Sequence, residues 1–147
     1  MDKLHIRSAL PEERLELEEL QRRSSLALET YREQLEANPG AIDLPAEQIE
    51  RGDILIAELD GRVAGFAAVL TDRDKAELDG LFVEPELWRR GIGAALIDAA
   101  VHEARRRGLS LMTVVADPAA REFYERCGFT AEGVAETRFG PALKMSR

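Results

Sequence analysis

The sequence predicts an α/β protein in which a mixed sheet of about six to seven strands is flanked by helices. Two patterns carry this prediction. Asp60-Gly61 separates two apolar runs, Ile54–Leu59 and Val63–Leu70, and Asp-Gly at such a place predicts a tight antiparallel hairpin. Further along, the order strand, helix, strand predicts a right-handed crossover, which makes a central pair of strands parallel.

The composition predicts one globular domain, residues 1–147, with 45% hydrophobic and 33% charged residues. Neither a membrane-spanning run nor a signal-peptide pattern is present, so we expect no membrane contact. The single cysteine excludes an internal disulfide, and we expect a cytoplasmic protein. The net charge of −8 argues against nucleic acid as a partner.

The amino-terminal third carries weaker patterns. A short alternating run predicts an edge strand, and Pro11 with the acidic residues after it predicts the start of a helix. A second helical stretch and a loop with one helical turn follow. These segments are the edge strand Lys3–Arg7, the stretch with Leu28, Tyr31 and Leu35 on one face, the break at Asn38-Pro39-Gly40, and the loop Ile42–Arg51.

Ala76–Val83 is predicted to be the strand that leads to the ligand site. Strict alternation places Glu77 and Asp79 on one face together with Leu81 and Val83. The opposite face then holds Ala76, Leu78, Gly80 and Phe82.

A long helix from Gly91 to about Arg107 should cover this sheet, because its only polar stripe is Asp98, His102 and Arg105. The parallel strand Leu109–Val115 follows. The remaining predicted elements are a helix opened by Asp117-Pro118 with the apolar stripe Ala119, Ala120, Phe123, Tyr124 and Cys127, and two strands around turns at Glu132-Gly133 and Gly140-Pro141.

The segment between the Ala76–Val83 strand and the long helix predicts an anion site. Pro85 ends the strand, and Gly91-Ile92-Gly93 opens the helix, whose first backbone N–H groups lack helical partners. Glycines allow a ligand to approach the backbone, and Arg89 and Arg90 add positive charge. This segment therefore predicts a pyrophosphate cradle.

Two other phosphate motifs do not fit, because Gly-Lys-Ser/Thr and the third glycine of the dinucleotide fingerprint are both absent. The segment Arg89-Arg90-Gly91-Ile92-Gly93-Ala94 resembles the acetyl-coenzyme A loop of the GNAT N-acetyltransferase superfamily, written Gln/Arg-x-x-Gly-x-Gly/Ala. Trp88 stands at the Gln/Arg position. That departure removes a polar side chain and leaves the backbone donors.

A second segment, from Asp117 to Phe129, resembles the other recurrent motif of the superfamily, Asn-x-x-Ala-x-x-Phe-Tyr-Glu-x-x-Gly-Phe, with unbroken spacing. Asp117 stands at the Asn position, which keeps a helix-capping acceptor and loses an amide donor. Two motifs in the right order are more specific than either alone. The resemblance implies a largely antiparallel sheet with a parallel pair at the acetyl-coenzyme A site.

The resemblance also implies the site residues. Tyr124 would be the acid that protonates the departing thiolate, and Glu77 the general base, with Asp79 in reserve. Each also has a structural interpretation: Tyr124 at the edge of the core, and Glu77 in a salt bridge or in solvent. The implied cofactor-binding residues are Leu81, Phe82, Val83, Trp88, Arg89, Arg90, Gly91, Ile92, Gly93, Ala94, Asp117, Phe123 and Tyr124.

The resemblance thus implies an acetyl-coenzyme A-dependent N-acetyltransferase that acts by direct attack of a primary amine, with no metal. Two alternatives remain: a non-catalytic acyl-coenzyme A-binding module, and an enzyme of the same fold with another acyl group or acceptor. The acceptor is a small molecule or a peptide whose identity the sequence leaves open. An exposed final strand would allow a homodimer.

Overall fold

The structure, a computed structural model, describes residues 3–27, 36–37, 42, 44–137 and 140–147. Seven strands form one sheet in the order β1-β2-β3-β4-β5-β7-β6, and all neighbours are antiparallel except β4 and β5. The predicted mixed sheet with its parallel central pair is confirmed. The strands are β1 Leu4–Ser8, β2 Ile54–Leu59, β3 Arg62–Thr71, β4 Lys75–Val83, β5 Leu111–Ala116, β6 Thr130–Thr137 and β7 Gly140–Ser146.

The described helices are α1 Arg14–Leu26, α2 Ala46–Glu50, α3 Ile92–Arg106 and α4 Arg121–Arg126. A 3-10 turn over Pro11–Glu13 precedes α1, so the α-helix begins three residues later than Pro11 predicts. The predicted helical turn within the loop Ile42–Arg51 is α2. The predicted stretch with Leu28, Tyr31 and Leu35, and the break at Asn38-Pro39-Gly40, lie outside the described residues.

The β2–β3 hairpin has the predicted geometry. Asp60 and Gly61 have φ of 53° and 82°, as a type I′ turn requires at both central residues. β1 pairs with β2 and forms one edge of the sheet, which confirms the predicted edge strand.

The two faces of the sheet bury separate apolar clusters. α3 covers one face with the side chains Ile92, Leu96, Ile97, Ala100, Val101 and Ala104, while its predicted polar stripe is exposed. α1 covers the other face with Leu17 and Leu20, which pack with Phe66 of β3. The crossover through α3 brings β5 parallel to β4, in register from Lys75 opposite Leu111 to Leu78 opposite Val114.

A β-bulge in β4 contradicts the predicted alternation. Ala68 pairs with Gly80 and Val69 pairs with Leu78, so Asp79 has no partner on β3. Because of this extra residue, Leu78 and Leu81 both pack in the α3-side cluster, whereas Phe82 packs on the α1 side. The prediction that Glu77 shares a face with Leu81 and Val83 is therefore wrong, and so is the grouping of Ala76 and Leu78 with Phe82.

The carboxyl-terminal hairpin differs from the prediction in three details. Glu132 and Gly133 lie inside β6, where the register shifts between Ala131 and Gly133, and do not form a turn. Gly140 and Pro141 are the first residues of β7, opposite Thr137 and Glu136, and are not the predicted turn itself. The final strand, β7, pairs with β5 and β6, so it is not an exposed edge and β6 takes that place. Among the helices of the described residues, none is long and apolar enough to cross a bilayer.

Candidate active site

The candidate site is the gap that opens where β4 and β5 part. Their pairing ends at Leu78 and Val114, although β4 runs on to Val83 and β5 to Ala116. The last part of β4 therefore pairs with β3 on one side and borders the gap on the other. Open α/β sheets bind ligands at this place, beyond the carboxyl ends of parallel strands.

A cleft of about 400 Å³ occupies this gap and contains most of the predicted cofactor-binding residues. It is lined by Ser24, Leu81, Val83, Leu87, Trp88, Arg89, Gly91, Ile92, Gly93, Ala94, Ala120, Phe123, Tyr124 and Arg126. The two segments picked out from the sequence are thus brought together in one cleft, from opposite ends of the β4–α3–β5 unit.

Three predicted cofactor-binding residues are absent from the lining. Phe82 turns to the opposite face, where its ring centroid lies 5.2 Å from that of Phe66, so it does not line the cleft. Asp117 caps the turn before α4, because its Oδ1 accepts from the Ala119 N–H at 2.8 Å, as predicted for this position. Arg90 follows Arg89 but does not line the cleft.

The loop before α3 has the backbone form of an anion-binding nest. Arg89 has φ of 67° and Gly91 has φ of 81°, so two left-handed residues alternate with Arg90 between them. The first helical hydrogen bond runs from the Ala95 N–H to the Gly91 carbonyl at 3.0 Å. Helix geometry leaves the amides before Ala95 without a partner within the helix, and they stand at its positive end.

The two glycines of the loop have different roles. Gly91 supplies the positive φ, and a Cβ added there would meet nothing within 4 Å. A Cβ at Gly93 would lie 3.1 Å from the Phe123 ring, so a larger residue there would require the ring to move by a few tenths of an ångström, and glycine suits the close contact between α3 and α4. That packing holds the second motif against the cradle.

Tyr124 is held by aromatic contacts at the wall of the cleft. Its ring meets the rings of Phe123 and Phe129 edge-on, with centroids 5.1 Å and 5.5 Å away. Burial, with a smaller contribution from Cys127, raises the pKa of the Tyr124 hydroxyl to about 12. The phenol is therefore protonated at neutral pH and can donate a proton or a hydrogen bond.

The two candidate bases stand apart from this wall. Glu77 is half-buried, and its register partners are Leu70 on β3 and Thr113 on β5. Asp79 is the bulge residue, and partial burial raises the pKa of its carboxyl. Neither carboxylate lines the cleft that Tyr124 lines.

Sequence reasoning missed four lining residues: Ser24, Leu87, Ala120 and Arg126. Arg126 adds a positive charge to the wall, and its spacing of three from the lining residue Phe123 on one helix could have indicated it. Ser24 is buried at the end of α1, and it comes into the cleft only through tertiary packing.

A larger cleft of about 600 Å³ lies beside the first and shares Leu87 with it. Its wall contains the β2–β3 hairpin and an ion pair in which Arg23 Nη2 lies 2.5 Å from Glu84 Oε1. It contains neither the helix start nor the buried tyrosine. The arrangement suited to a phosphate and a proton transfer is therefore in the smaller cleft.

The sheet order, the gap and the loop at the start of α3 define the class of an acyltransferase fold. The chain belongs to the Acetyltransferase (GNAT) family, whose family model matches residues 15–129. Its relatives in this family are N-acetyltransferases, and no metal-binding group of His, Cys, Asp and Glu occurs in the part of the chain that the structure describes.

Two relatives and one solved structure show how far the similarity extends. An uncharacterised N-acetyltransferase of Methanocaldococcus jannaschii is 35% identical over 91 residues, which cover 55% of this chain and only 40% of that protein. The 5-NmdU N-acetyltransferase of Pseudomonas phage PaMx11 is 28% identical over 94% of this chain and 95% of its own length. The PaiA N-acetyltransferase of Thermoplasma acidophilum, solved in complex with coenzyme A, superposes with a TM-score of 0.80 at 24% identity, covering 99% of this chain and 98% of that one.

Proposed function

We propose that this protein is an N-acetyltransferase that moves the acetyl group of acetyl-coenzyme A to a primary amine by direct attack. The observation that carries the proposal is the cleft itself, in which a helix start with free amides, a free strand edge and a protonated tyrosine meet. The coenzyme A complex of the Thermoplasma acidophilum protein, whose fold is the same, supports this choice of acyl donor.

The residues present fit the parts of acetyl-coenzyme A. The diphosphate would be held by the amides at the start of α3, together with the side chains of Arg89 and Arg126. The pantetheine amides would pair with the edge of β4 from Leu81 to Val83 that β5 leaves uncovered, as an added strand does, although the Val83 carbonyl on this edge already accepts a bond from the Trp88 indole. The Val83 N–H is our candidate donor to the thioester carbonyl.

The reaction combines two bond changes with proton transfers. The neutral amine nitrogen forms a bond to the thioester carbon and becomes positively charged, the C–S bond breaks, and the thiolate takes a proton from Tyr124. The nitrogen then gives up one of its protons, which returns through water to the Tyr124 phenolate. The amine first loses a proton, which costs about 3–4 kcal/mol at neutral pH for an amine of pKa near 10. That cost is small against a chemical barrier, so a modest base that acts through water is sufficient.

Because of the bulge in β4, the proposed base and the proposed acid lie on different sides of the sheet. Tyr124 packs with the α3-side cluster, whereas Glu77, which alternates with Leu78, faces the other side. A thioester bound in the gap, level with the sheet, would then have Tyr124 on one side and Glu77 on the other. This arrangement suits direct attack, because the amine can enter from the Glu77 side while the thiolate leaves on the Tyr124 side. We propose Glu77 as the base, with Asp79 as the alternative.

A non-catalytic acyl-coenzyme A-binding module is the second candidate, favoured by the absence of both carboxylates from the lining of the cleft. An enzyme with another acyl group or acceptor is a further alternative within the same fold. The acceptor panel should include 5-NmdU, because the phage relative that matches nearly the whole chain is named for it.

Calorimetry with coenzyme A, followed by a thiol-release assay with acetyl-coenzyme A and a panel of amines and peptides, tests the proposal. Binding together with amine-dependent thiol release supports it. Binding without thiol release from any amine indicates the binding module. Absence of binding at millimolar coenzyme A overturns the assignment of the cleft.

A further inference from the structure

The only tryptophan of the chain makes a specific hydrogen bond at the mouth of the cleft. The indole Nε1–H of Trp88 donates to the backbone carbonyl of Val83 at 2.8 Å. Val83 is the last residue of β4, and Trp88 is 38% exposed and forms part of the cleft wall. The hydrogen bond therefore fixes the indole ring against the end of the strand that borders the gap.

The bond closes a loop that two backbone bonds already tighten. The Leu87 N–H donates to the Glu84 carbonyl at 2.9 Å, and the Trp88 N–H donates to the Pro85 carbonyl at 3.3 Å. The indole bond adds a side-chain tether across the whole loop 84–88, because it joins Trp88, the last residue of the loop, to Val83, the residue that precedes it.

The residue after Trp88 adopts a conformation that needs support. Arg89 has φ of 67°, which is unfavourable for a residue with a Cβ, and such conformations persist where the surrounding structure holds them. The tether at Trp88 is adjacent to Arg89 and fixes the direction in which the chain enters it. Arg89 in turn directs the chain toward Gly91 and the start of α3.

We propose that Trp88 is a positioning residue of the acetyl-coenzyme A cleft: its bond to Val83 holds the left-handed backbone of Arg89 and so preorganises the amides that receive the diphosphate. This inference rests on the proposed function. A loop ordered before binding loses less entropy when the ligand arrives, and the effect therefore falls on affinity. Where the resembled motif has Gln or Arg, this chain has an indole with one N–H donor.

The substitution Trp88→Phe keeps an aromatic wall and removes the donor. We expect the Kd for coenzyme A, measured by calorimetry, and the KM for acetyl-coenzyme A to rise about fivefold, while kcat stays within about twofold. If the wild-type protein binds coenzyme A and Trp88→Phe binds it equally well, the inference is overturned and the proposed function stands. If the wild-type protein does not bind coenzyme A, the proposed function fails first.

A double-mutant cycle with Arg89→Gly separates positioning from simple contact. Glycine adopts a positive φ without steric cost, so a loop with Gly at this position needs the tether less. We expect Trp88→Phe to weaken coenzyme A binding less than about twofold when it is made in the Arg89→Gly protein. Equal losses in both backgrounds would mean that the indole N–H contributes to binding without acting through the backbone of Arg89, and would overturn the positioning role.

A measurement on the unaltered protein avoids any dependence on variant folding. Because the chain has one tryptophan, its indole N–H gives a single NMR signal. In the unliganded protein we expect the exchange of this proton with water to be slowed at least about tenfold relative to free indole. Exchange at the rate of free indole would show that the tether is not formed before binding.

Discussion

The two halves of β4 contribute to the candidate site in different ways. The carboxyl half, Leu81–Val83, borders the gap and leads into the cradle, where residues predicted from local motifs meet as expected. The amino half carries Glu77, whose predicted face is wrong because Asp79 forms a bulge between the halves. Local motifs thus predict where the proposed cradle lies, whereas the position of the candidate base depends on how two strands pair.

The largest expected effect tests the cradle side. Tyr124→Phe removes the hydroxyl and keeps the ring contacts, so we expect kcat to fall about 100-fold while coenzyme A affinity stays within about twofold. Stopped-flow or steady-state thiol release measures the first, and calorimetry the second. Unchanged turnover in Tyr124→Phe would leave Tyr124 a structural residue.

Tyr124 also gives the cradle side a measurable pH dependence. Its pKa is raised from 10.0 to about 12, so the neutral phenol is favoured in the folded state. This contribution to stability is fully present below pH 10 and is lost as the pH rises through 12, a loss of about 2–3 kcal/mol. We expect the unfolding free energy of the wild-type protein to fall by this amount relative to Tyr124→Phe between pH 10 and pH 12, measured by denaturant titration. Parallel curves for the two proteins would contradict the buried state of the hydroxyl.

The difference between the halves also explains what the sequence could predict. Asp60-Gly61 and the α3 helix are local patterns, in which turn geometry or helical spacing is set by neighbours in the chain, and both were predicted correctly. The bulge at Asp79 leaves only a weak local sign, the isolated Gly80 inside the strand pattern, which does not by itself fix the residue that bulges. Arg126 could have been inferred from helical spacing, but Ser24 reaches the cleft only through the packing of α1.

The carboxylate half of β4 is tested by two isosteric substitutions. Glu77→Gln removes a proton acceptor without changing the size of the side chain, and we expect kcat to fall about tenfold with unchanged coenzyme A affinity. The loss is smaller than for Tyr124 because water can still take the proton of the amine. Asp79→Asn is the matched control and should change kcat less than twofold.

The pH profile of kcat/KM decides between the two carboxylates. If Glu77 is the base, the acidic limb of the kcat/KM profile disappears in Glu77→Gln and persists in Asp79→Asn. A larger loss in Asp79→Asn would assign the base to the bulge residue, whose pKa is raised by partial burial. Full activity in both variants would favour a base outside β4.

The smallest expected effect concerns a cation that the sequence motifs did not indicate. Arg126 lines the cleft at the end of α4, so Arg126→Ala should weaken coenzyme A binding about fivefold in low salt and less as salt screens the charge. Arg121 lies on the same helix, is ion-paired with Glu125 at 3.4 Å and is outside the lining, so Arg121→Ala is the matched control. Equal affinities for the two variants would show that the backbone amides of the cradle hold the diphosphate without help from α4. In that case the loop motif before α3 alone determines the affinity for coenzyme A. The cofactor side of the site would then depend only on local sequence, in contrast to the candidate base on the amino half of β4.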